Sequence, residues 1–274
     1  MYGPDVVVVE GRDGGYVVHG LYESDAMPDC RLSARTLNEW LLSPQGDYVL
    51  SREQAYYDKK VVDIFGFNAL QLGMSEHAFL RNSRMPLRMY GEEAVTADVR
   101  FCHDELPFPC ESVDLLLMPH VLEFADNPHQ ILREVERVLM PEGNLLISGF
   151  NPYSLWGLRR KLSSKQGYPW CGDFIALRRL KDWLALLGLV VVEERFTAYT
   201  PPFNRATTLA RCHFMEVAGD HRCAGSGGIY FLHAIKRVPG MRLIQPKWNK
   251  KLVGNLLPVA PKMNNNKSHN ETSE

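Results

Sequence analysis

The chain has 274 residues, of which 45% are apolar and 23% are charged, and its formal net charge is −1. This balance is ordinary for a globular protein and excludes a whole-molecule field that would attract nucleic acid or an anionic membrane. Its six cysteines include no C-x-x-C pair, and no apolar run reaches the roughly 20 residues of a membrane span. We therefore expect a cytoplasmic protein with reduced thiols, no membrane span and no metal site.

Residues 1–26 are rich in Gly, Asp and Val and join poorly to the rest of the chain. Two valine-rich runs flank Asp13-Gly14-Gly15, which predicts a small hairpin. An N-terminal extension that is not native, with the true start at Met27, explains the same composition. The sequence leaves both interpretations open.

Two helices are predicted next, over Leu32–Leu42 and Ser51–Phe65, with a loop at Ser43-Pro44-Gln45-Gly46 between them. Ser51 and Gln54, three residues apart, fit a capping box, in which two side chains satisfy free backbone N–H groups at a helix start. We therefore expect the second helix to begin at Ser51.

Three short strands are predicted after these helices. The first is Ala69–Leu72, which ends at Gly73; the second is Pro86–Tyr90, and a weaker third is Val99–Cys102. An alternative places the first strand at Val61–Ile64. The apolar spacing there is helical, which favours the later position.

The strongest pattern in the chain lies in Leu106–Gly149. Val113–Met118 fits a buried strand, and Asp126-Asn127-Pro128 offers a capping oxygen and a proline at the first helical position. The helix after this proline has one apolar stripe, formed by Ile131, Leu132, Val135, Val138 and Leu139. It should stop at Pro141-Glu142-Gly143, and Asn144–Phe150 then makes a second strand. Such a unit implies parallel strands joined by a right-handed crossover.

Downstream, Ala176–Leu187 has the pattern of a helix, with Gly188 just past its end. Leu189–Phe196 and Ile229–Lys236 are predicted strands, and a further helix is predicted at Ala206–Ala218. The sequence thus alternates helices and strands, as in α/β proteins.

One ordered set of motifs resembles a known family. L-P-F, S-V-D, an Asn-Pro helix start, L-R-E-V-E-R-V-L-x-P-x-G and a closing strand succeed one another between Leu106 and Phe150. This set resembles the class I, Rossmann-like S-adenosylmethionine-dependent methyltransferases, and within them the branch of the ubiquinone/menaquinone methylases. The resemblance spans about residues 68–237.

The resemblance implies an α/β fold: a Rossmann-like three-layer sandwich around a mostly parallel seven-stranded sheet. The last strand should be antiparallel and lie beside the fifth. The methyltransferase-like domain would cover 27–240, with N-terminal helices and a lid inserted at 151–173, where aromatic and basic residues alternate. Residues 241–274 would form a basic, partly disordered tail.

The resemblance also implies S-adenosylmethionine as the cofactor and places its glycine loop at Leu72, Gly73 and Met74. In the family, an acidic residue and G-x-G-x-G occupy this place. Here Gly73 is the one glycine present and Gln71 stands where the acid is usual, so the loop is degenerate.

Four further positions match cofactor-binding places of the family. Glu92, with Glu93 next to it, comes after the second strand, where a carboxylate receives the ribose hydroxyls. Asp104 or Glu105 lies near the place where an acid faces the adenine amino group, with Asp98 as a rival, and Asp104 is preferred. Pro119 and His120 come after the fourth strand. His120 could touch the cofactor or act catalytically as a general base with a pKa near the working pH.

The leading hypothesis is therefore a methyltransferase that passes a methyl group to an unidentified small-molecule or macromolecular acceptor. A nucleic-acid acceptor stays open without support, as does the oligomeric state. The degenerate glycine loop motivates an alternative: a catalytically lapsed relative that acts as a protein- or RNA-binding module.

Overall fold

The structure is a computed structural model that describes residues 6–10, 16–20, 34–91, 103–162, 167–204 and 225–238. At the N-terminus, β1 (Val6–Glu10) and β2 (Tyr16–Gly20) pair antiparallel as a two-stranded sheet. The predicted helix at Ala206–Ala218 and the tail at 241–274 lie outside the described residues.

The two N-terminal helices are α1 (Ala34–Leu41) and α2 (Pro44–Lys60). The predicted loop between them was wrong, because α2 begins at its Ser-Pro pair. The Ser43 side chain caps the helix by accepting the N–H of Gly46 at 3.1 Å, and the proline takes the first helical position. Ser51 is therefore not a cap; its hydroxyl donates to the carbonyl of Tyr48 in mid-helix.

The main sheet has six strands in the order β4-β3-β5-β6-β8-β7. Their bounds are β3 Asn68–Leu72, β4 Leu87–Gly91, β5 Val113–Pro119, β6 Leu139–Phe150, β7 Leu189–Thr197 and β8 Ile229–Lys236. Five strands run parallel, while β8 runs antiparallel to β6 and β7 on either side of it. The prediction that the last strand is antiparallel and lies beside the fifth predicted strand, Asn144–Phe150, is confirmed, because β8 pairs antiparallel with β6.

The expected count of seven strands is not what the described residues show, which is six. The predicted third strand at Val99–Cys102 lies outside these residues. The position chosen for the first strand is confirmed by β3, whereas Val61–Asp63 continues α2 as a short 3₁₀ turn. No helix separates β3 from β4, since residues 73–86 form turns and loop.

The crossover helix α3 (Pro128–Val138) is capped by Asn127, whose side chain accepts the N–H of Gln130. Its end differs from the prediction. Leu139 already has extended backbone and opens β6, so the chain passes from helix to strand without the Pro-Glu-Gly turn. Leu139 fitted the apolar stripe of the helix because it is buried in the same core as Val135 and Val138 of α3.

Two apolar cores lie on opposite faces of the sheet and make three layers. One joins α3 and α5 (Leu177–Leu186) to side chains such as Leu116 and Leu145. The other joins α2 to Leu117, Leu146 and the aromatic residues around Phe150. This second core also receives Trp156 of α4 (Leu155–Leu162). Among the described helices, none has the length and apolarity required to cross a membrane.

Candidate functional site

The carboxyl ends of β3, β4 and β5 meet at one edge of the sheet, where ligands bind in open α/β folds. The N–H of Gly73, after β3, donates to the carbonyl of Gly91 in β4 at 2.9 Å. A Cβ added to Gly73 would lie 3.7 Å from the Pro119 carbonyl of β5 and 2.9 Å from Val121 Cγ2. The structure thus brings the predicted Leu72–Met74 and Pro119–His120 segments together.

Three residues at this edge have left-handed backbone: Gly73 with φ 76°, Met74 with φ 51° and His120 with φ 52°. For Met74 and His120 this conformation is strained, and such strain concentrates at functional sites. The left-handed conformation turns the backbone sharply after β3 and after β5.

Gln71, which stands at the family's acidic position, is fully buried and turned onto its own loop. Its Nε2 donates to the carbonyls of Gly73, Met74 and His77 at 3.1, 3.0 and 2.9 Å. Its Oε1 accepts the N–H of Phe79 at 3.1 Å. The side chain therefore stabilises the non-helical loop 73–79, and all of these hydrogen bonds are to groups of the protein.

Asp104 lies on a loop that α3 holds in place. Gln130 Nε2 contacts the carbonyl of Asp104 at 3.4 Å, and Glu134 Oε2 accepts the N–H of Leu106 at 3.1 Å. Arg137 donates to the carbonyls of Leu106 and Phe108, both at 2.9 Å. Glu92, the predicted ribose-binding acid, lies outside the described residues.

His120 lies between two carboxylates in the protein interior. Its Nδ1 is 3.1 Å from Glu123 Oε2, and its Nε2 is 3.0 Å from Glu53 Oε1 on α2. Glu53 Oε1 also accepts the hydroxyl hydrogen of Ser148 in β6, and Glu123 Oε1 accepts the N–H of Phe150. We call Glu53, His120 and Glu123 the buried triad; each of them is at most 4% exposed.

The charge state of His120 results from this position. Burial by itself lowers the pKa of the imidazole, but the charges of Glu53 and Glu123 and the hydrogen bonds to both outweigh burial and raise it to about 10. The expected pKa near neutrality is therefore not what the structure gives. His120 is therefore an imidazolium at pH 7, with its Nδ1 hydrogen-bonded to Glu123. In the part of the chain that the structure describes, no group of His, Cys, Asp and Glu is arranged to hold a metal ion.

Aromatic rings surround the buried triad. Phe150 packs on the His120 imidazole with centroids 4.2 Å apart, and Trp40 of α1 contacts both Phe150 and Tyr168, at 6.3 and 5.0 Å. Tyr168 in turn stacks on Phe124 at 4.6 Å. Burial, then the charge of Glu123, then that of Glu53 raise the pKa of Tyr168, so its hydroxyl stays protonated beside the carboxylates.

The segment predicted as a lid is fastened next to the buried triad where it is described. Asp173 N–H donates to the Glu123 carbonyl at 2.7 Å. Arg160 of α4 donates to the carbonyl of Gly172 and pairs with the Asp173 carboxylate. Trp156 is fully buried and donates from its indole to the Thr200 carbonyl at 3.0 Å.

Sequence reasoning did not predict Glu53 or Glu123 as site residues. Glu53 sits among Tyr, Arg and Gln residues of a helix whose polar positions look like a solvated face, and no local motif marks it as buried. The i, i+3 spacing of His120 and Glu123 was visible. The role of this pair in a buried site depends on the packing of α2 against the loop after β5, which is a long-range contact that the local sequence does not show.

Comparisons with known proteins agree with this geometry. Residues 70–147, from β3 into β6, match the family described as "Methyltransferase domain". The matched segment contains both strand ends of the edge and the whole crossover between them. The match indicates a methyltransferase domain, with S-adenosylmethionine as its cofactor.

Relatives in sequence carry no assigned function. The uncharacterised protein YafS of Escherichia coli is 41% identical over 102 residues, which is 36% of this chain and 42% of that protein. An uncharacterised protein of Mycobacterium bovis, Mb2026c, is 28% identical over 219 residues, covering 73% of this chain and 74% of its own length. The chain thus matches less than half of the first relative.

Solved structures share the fold. An S-adenosylmethionine-dependent methyltransferase of Thermotoga maritima, a candidate histamine N-methyltransferase, superposes with a TM-score of 0.54 at 16% identity over 74% of this chain and 98% of that one. A chain of the complex between the Haloferax volcanii Trm112 activator and its methyltransferase gives 0.53 at 14% identity, over 75% and 97%. These likenesses show the Rossmann-like methyltransferase fold.

Proposed function

We propose that this protein is an S-adenosylmethionine-dependent methyltransferase that acts on an acceptor held beside the buried triad. One observation carries the proposal: the matched domain, residues 70–147, includes both strand ends that converge at Gly73 and Pro119. The alternative of a lapsed relative finds no support in the comparisons. Membership of the ubiquinone/menaquinone-methylase branch and a cytoplasmic location stay predictions.

The edge fits a cofactor that is bound mainly by backbone. The left-handed turns at Gly73, Met74 and His120 end both strands at this edge, while Gln71 is committed to its own loop. Leu72, Gly73, Met74, Pro119 and His120 would contact the methionine part. Carboxylate contacts would come from Glu92 to the ribose hydroxyls and from Asp104 to the adenine, because a carboxylate accepts from a diol or an amino group.

The bound cofactor supplies an electrophilic methyl group on a sulfonium, and the protein's task is to align the acceptor and exclude water. The aromatic residues around Phe150 exclude water from the buried triad. As an imidazolium, His120 cannot accept a proton at neutral pH, so its role is to orient Glu53 and Glu123. A proton released by the acceptor would go to a carboxylate of the triad.

The segment 151–173 is proposed as the cover of this site. Its described part already contacts Glu123 through Asp173 and closes over Phe124 through Tyr168. The segment would have to open for an acceptor to reach the buried triad. This places a gating step between binding and chemistry.

Calorimetric titration with S-adenosylmethionine and S-adenosylhomocysteine tests the function. We expect micromolar dissociation constants for both. Glu92→Gln and Asp104→Asn should each weaken binding by about tenfold, the effect of one charged hydrogen bond. Arg237→Gln, at an exposed ion pair with Glu142 beyond the far end of β8, is the matched control and should bind as the wild type does. A folded sample that binds neither compound would overturn the proposal and favour the binding-module alternative.

A further inference from the structure

Two buried polar atoms next to His120 have no hydrogen-bond partner among the described residues. They are Glu53 Oε2 on α2 and Tyr168 Oη in the segment predicted as a lid. Tyr57 on α2 is also fully buried, and its hydroxyl bonds to Ser148 in β6. A buried polar group left without a partner costs free energy, so this pair indicates a site for a polar guest.

Glu53 is the strongest acceptor in this cluster. Its Oε1 is engaged by Ser148 and lies 3.0 Å from His120, whereas its Oε2 is buried and unpaired. Both tyrosines sense its charge, since Glu53 is among the groups that raise the pKa of Tyr57 and of Tyr168, after burial in each case. The free carboxylate oxygen therefore lies in the same small region as the two phenol groups.

The charge of the region is unbalanced. Two acidic side chains face one basic side chain in a fully buried setting, at 3.0 and 3.1 Å from the His120 ring. An uncompensated buried charge is costly, and it is relieved by a cation that makes hydrogen bonds. Aromatic rings stabilise cations through their faces, and Trp40, Phe150 and Tyr168 provide such rings here.

We propose that the Glu53 carboxylate binds the acceptor of methyl transfer through its free oxygen, and that this acceptor is a primary or secondary amine carried on an apolar skeleton. An ammonium group provides a positive charge, and its N–H groups can donate to Glu53 Oε2 and to the oxygen of the Tyr168 hydroxyl. An alcohol would provide one donor and no charge, and a carboxylate would add a further negative charge.

The chemistry balances with the groups on hand. The ammonium gives one proton to Glu53, which frees the lone pair on nitrogen. That pair forms the new N–C bond to the cofactor's methyl carbon while the C–S bond breaks and its electron pair stays on sulfur. The products are a methylated ammonium and a neutral thioether, and Glu53 passes its proton to solvent when the segment above it opens.

The position of the buried triad supports this order of events. His120 comes directly after Pro119, whose carbonyl faces Gly73 at the proposed cofactor edge. A group held by Glu53 would thus approach from the α2 side of the sheet, next to the strand ends. The inference rests on the proposed function, because the amine is identified as a methyl acceptor only if the cofactor binds.

The first experiment uses the full-length protein saturated with S-adenosylhomocysteine. Thermal shift and calorimetry compare 2-phenylethylamine, benzylamine and n-butylamine with the alcohols of the same carbon skeletons. We expect the amines to bind at least about tenfold more tightly than the matched alcohols, the usual advantage of a charge-assisted hydrogen bond. Equal binding of amines and alcohols, or binding of neither class, overturns the inference.

The second experiment compares Glu53→Gln with Glu193→Gln. Glu193 of β7 pairs with Lys60 of α2 at a partly exposed position. Glu193→Gln therefore provides the matched loss of a carboxylate. Glu53→Gln should abolish the preference for amines while S-adenosylhomocysteine still binds, because most of the proposed cofactor contacts lie at the ends of β3 and β5 rather than on α2. A Glu53→Gln protein that keeps the preference shows a purely structural carboxylate and overturns the inference.

Two further outcomes separate the sources of failure. If the wild type does not bind S-adenosylhomocysteine, the proposed function itself fails. If the charge of the buried triad serves the sulfonium instead, S-adenosylmethionine will bind far more tightly than S-adenosylhomocysteine and Glu53→Gln will remove that difference, which overturns the amine assignment. Should Glu53→Gln not fold, the wild-type contrast between amines and alcohols decides alone.

Discussion

Glu53 Oε1 lies 3.0 Å from His120 Nε2, and this contact joins the middle of α2 to the loop that ends β5. With Glu123 on the other side of the ring, it holds the imidazole protonated and raises the pKa of His120 to about 10, against the lowering effect of burial. An unfolded chain has a histidine pKa of about 6.5. The folded state therefore retains one proton that the unfolded state loses between these two values.

Stability should accordingly fall as the pH rises from 7 to 9. In this window the unfolding free energy loses up to about 1.4 kcal/mol per pH unit from His120 alone, because the folded protein binds one more proton. Urea unfolding at several pH values measures this slope, and His120→Gln is the control that should flatten it. A wild-type curve parallel to that of His120→Gln would show that the imidazole is neutral in the folded protein.

Gln71 makes a second prediction, because its amide donates to three carbonyls that a carboxylate would repel. Restoring the family's acid with Gln71→Glu should lower the unfolding free energy by about 2–4 kcal/mol, since it places an unpaired charge against buried carbonyl oxygens. Chemical denaturation gives the value directly.

Gln71→Met is the matched control, as it keeps the shape and adds no charge. It should cost less than Gln71→Glu. If the glutamate is tolerated as well as the methionine, the amide of Gln71 does not fasten residues 73–79, and the loop is held in solution by other contacts.

The sequence predicted those parts of the fold that depend on local patterns. β8 matched its prediction at both ends, because an almost continuous apolar run that follows a glycine-rich turn is local information. Gln71 was noticed as a departure, yet its function as a clamp depends on carbonyls two to six residues away in a non-helical loop. Glu53 could not be found, since its burial depends on β5 and β6, which lie far along the chain.

Two features favour glycine at position 73: its backbone conformation and the lack of room for a Cβ atom. Its φ is 76°, and an added Cβ would approach Val121 Cγ2 to 2.9 Å. Gly73→Ala should therefore destabilise the protein by about 1–3 kcal/mol, from strain in the left-handed region plus the clash. A larger side chain, such as that of Gly73→Val, would lower stability together with any effect on cofactor affinity.

The double variant Gly73→Ala/Val121→Ala separates the two causes. If the clash contributes, the double variant will be more stable than the sum of the single variants predicts, as measured in a thermodynamic cycle. Strict additivity would show that backbone strain alone explains the glycine.

Arg137 links α3 to the Asp104 loop by two hydrogen bonds to the carbonyls of Leu106 and Phe108 and by its pair with Glu134. Arg137→Lys keeps the charge but cannot make this forked contact. We expect a loss of about 1–2 kcal/mol in stability and weaker binding of S-adenosylhomocysteine, since the loop carries the proposed adenine contact. Arg133→Lys, on the exposed side of the same helix, should change neither quantity.

The cover of the site is fastened by Arg160, which bonds the Gly172 carbonyl, pairs with Asp173 and lies over the Phe174 ring at 5.3 Å. Arg160→Ala removes these three contacts at once while Trp156 stays buried in the core. Hydrogen exchange of residues 167–174 should then become faster, because local opening costs less free energy. Saturating S-adenosylhomocysteine together with an amine should slow this exchange in the wild type, and much less in Arg160→Ala.

The control is Lys181→Ala on α5, which removes an exposed ion pair with Glu194 and should leave exchange in this segment unchanged. If ligands leave the wild-type exchange of 167–174 unaltered, the segment is a fixed wall of the site rather than a cover that opens.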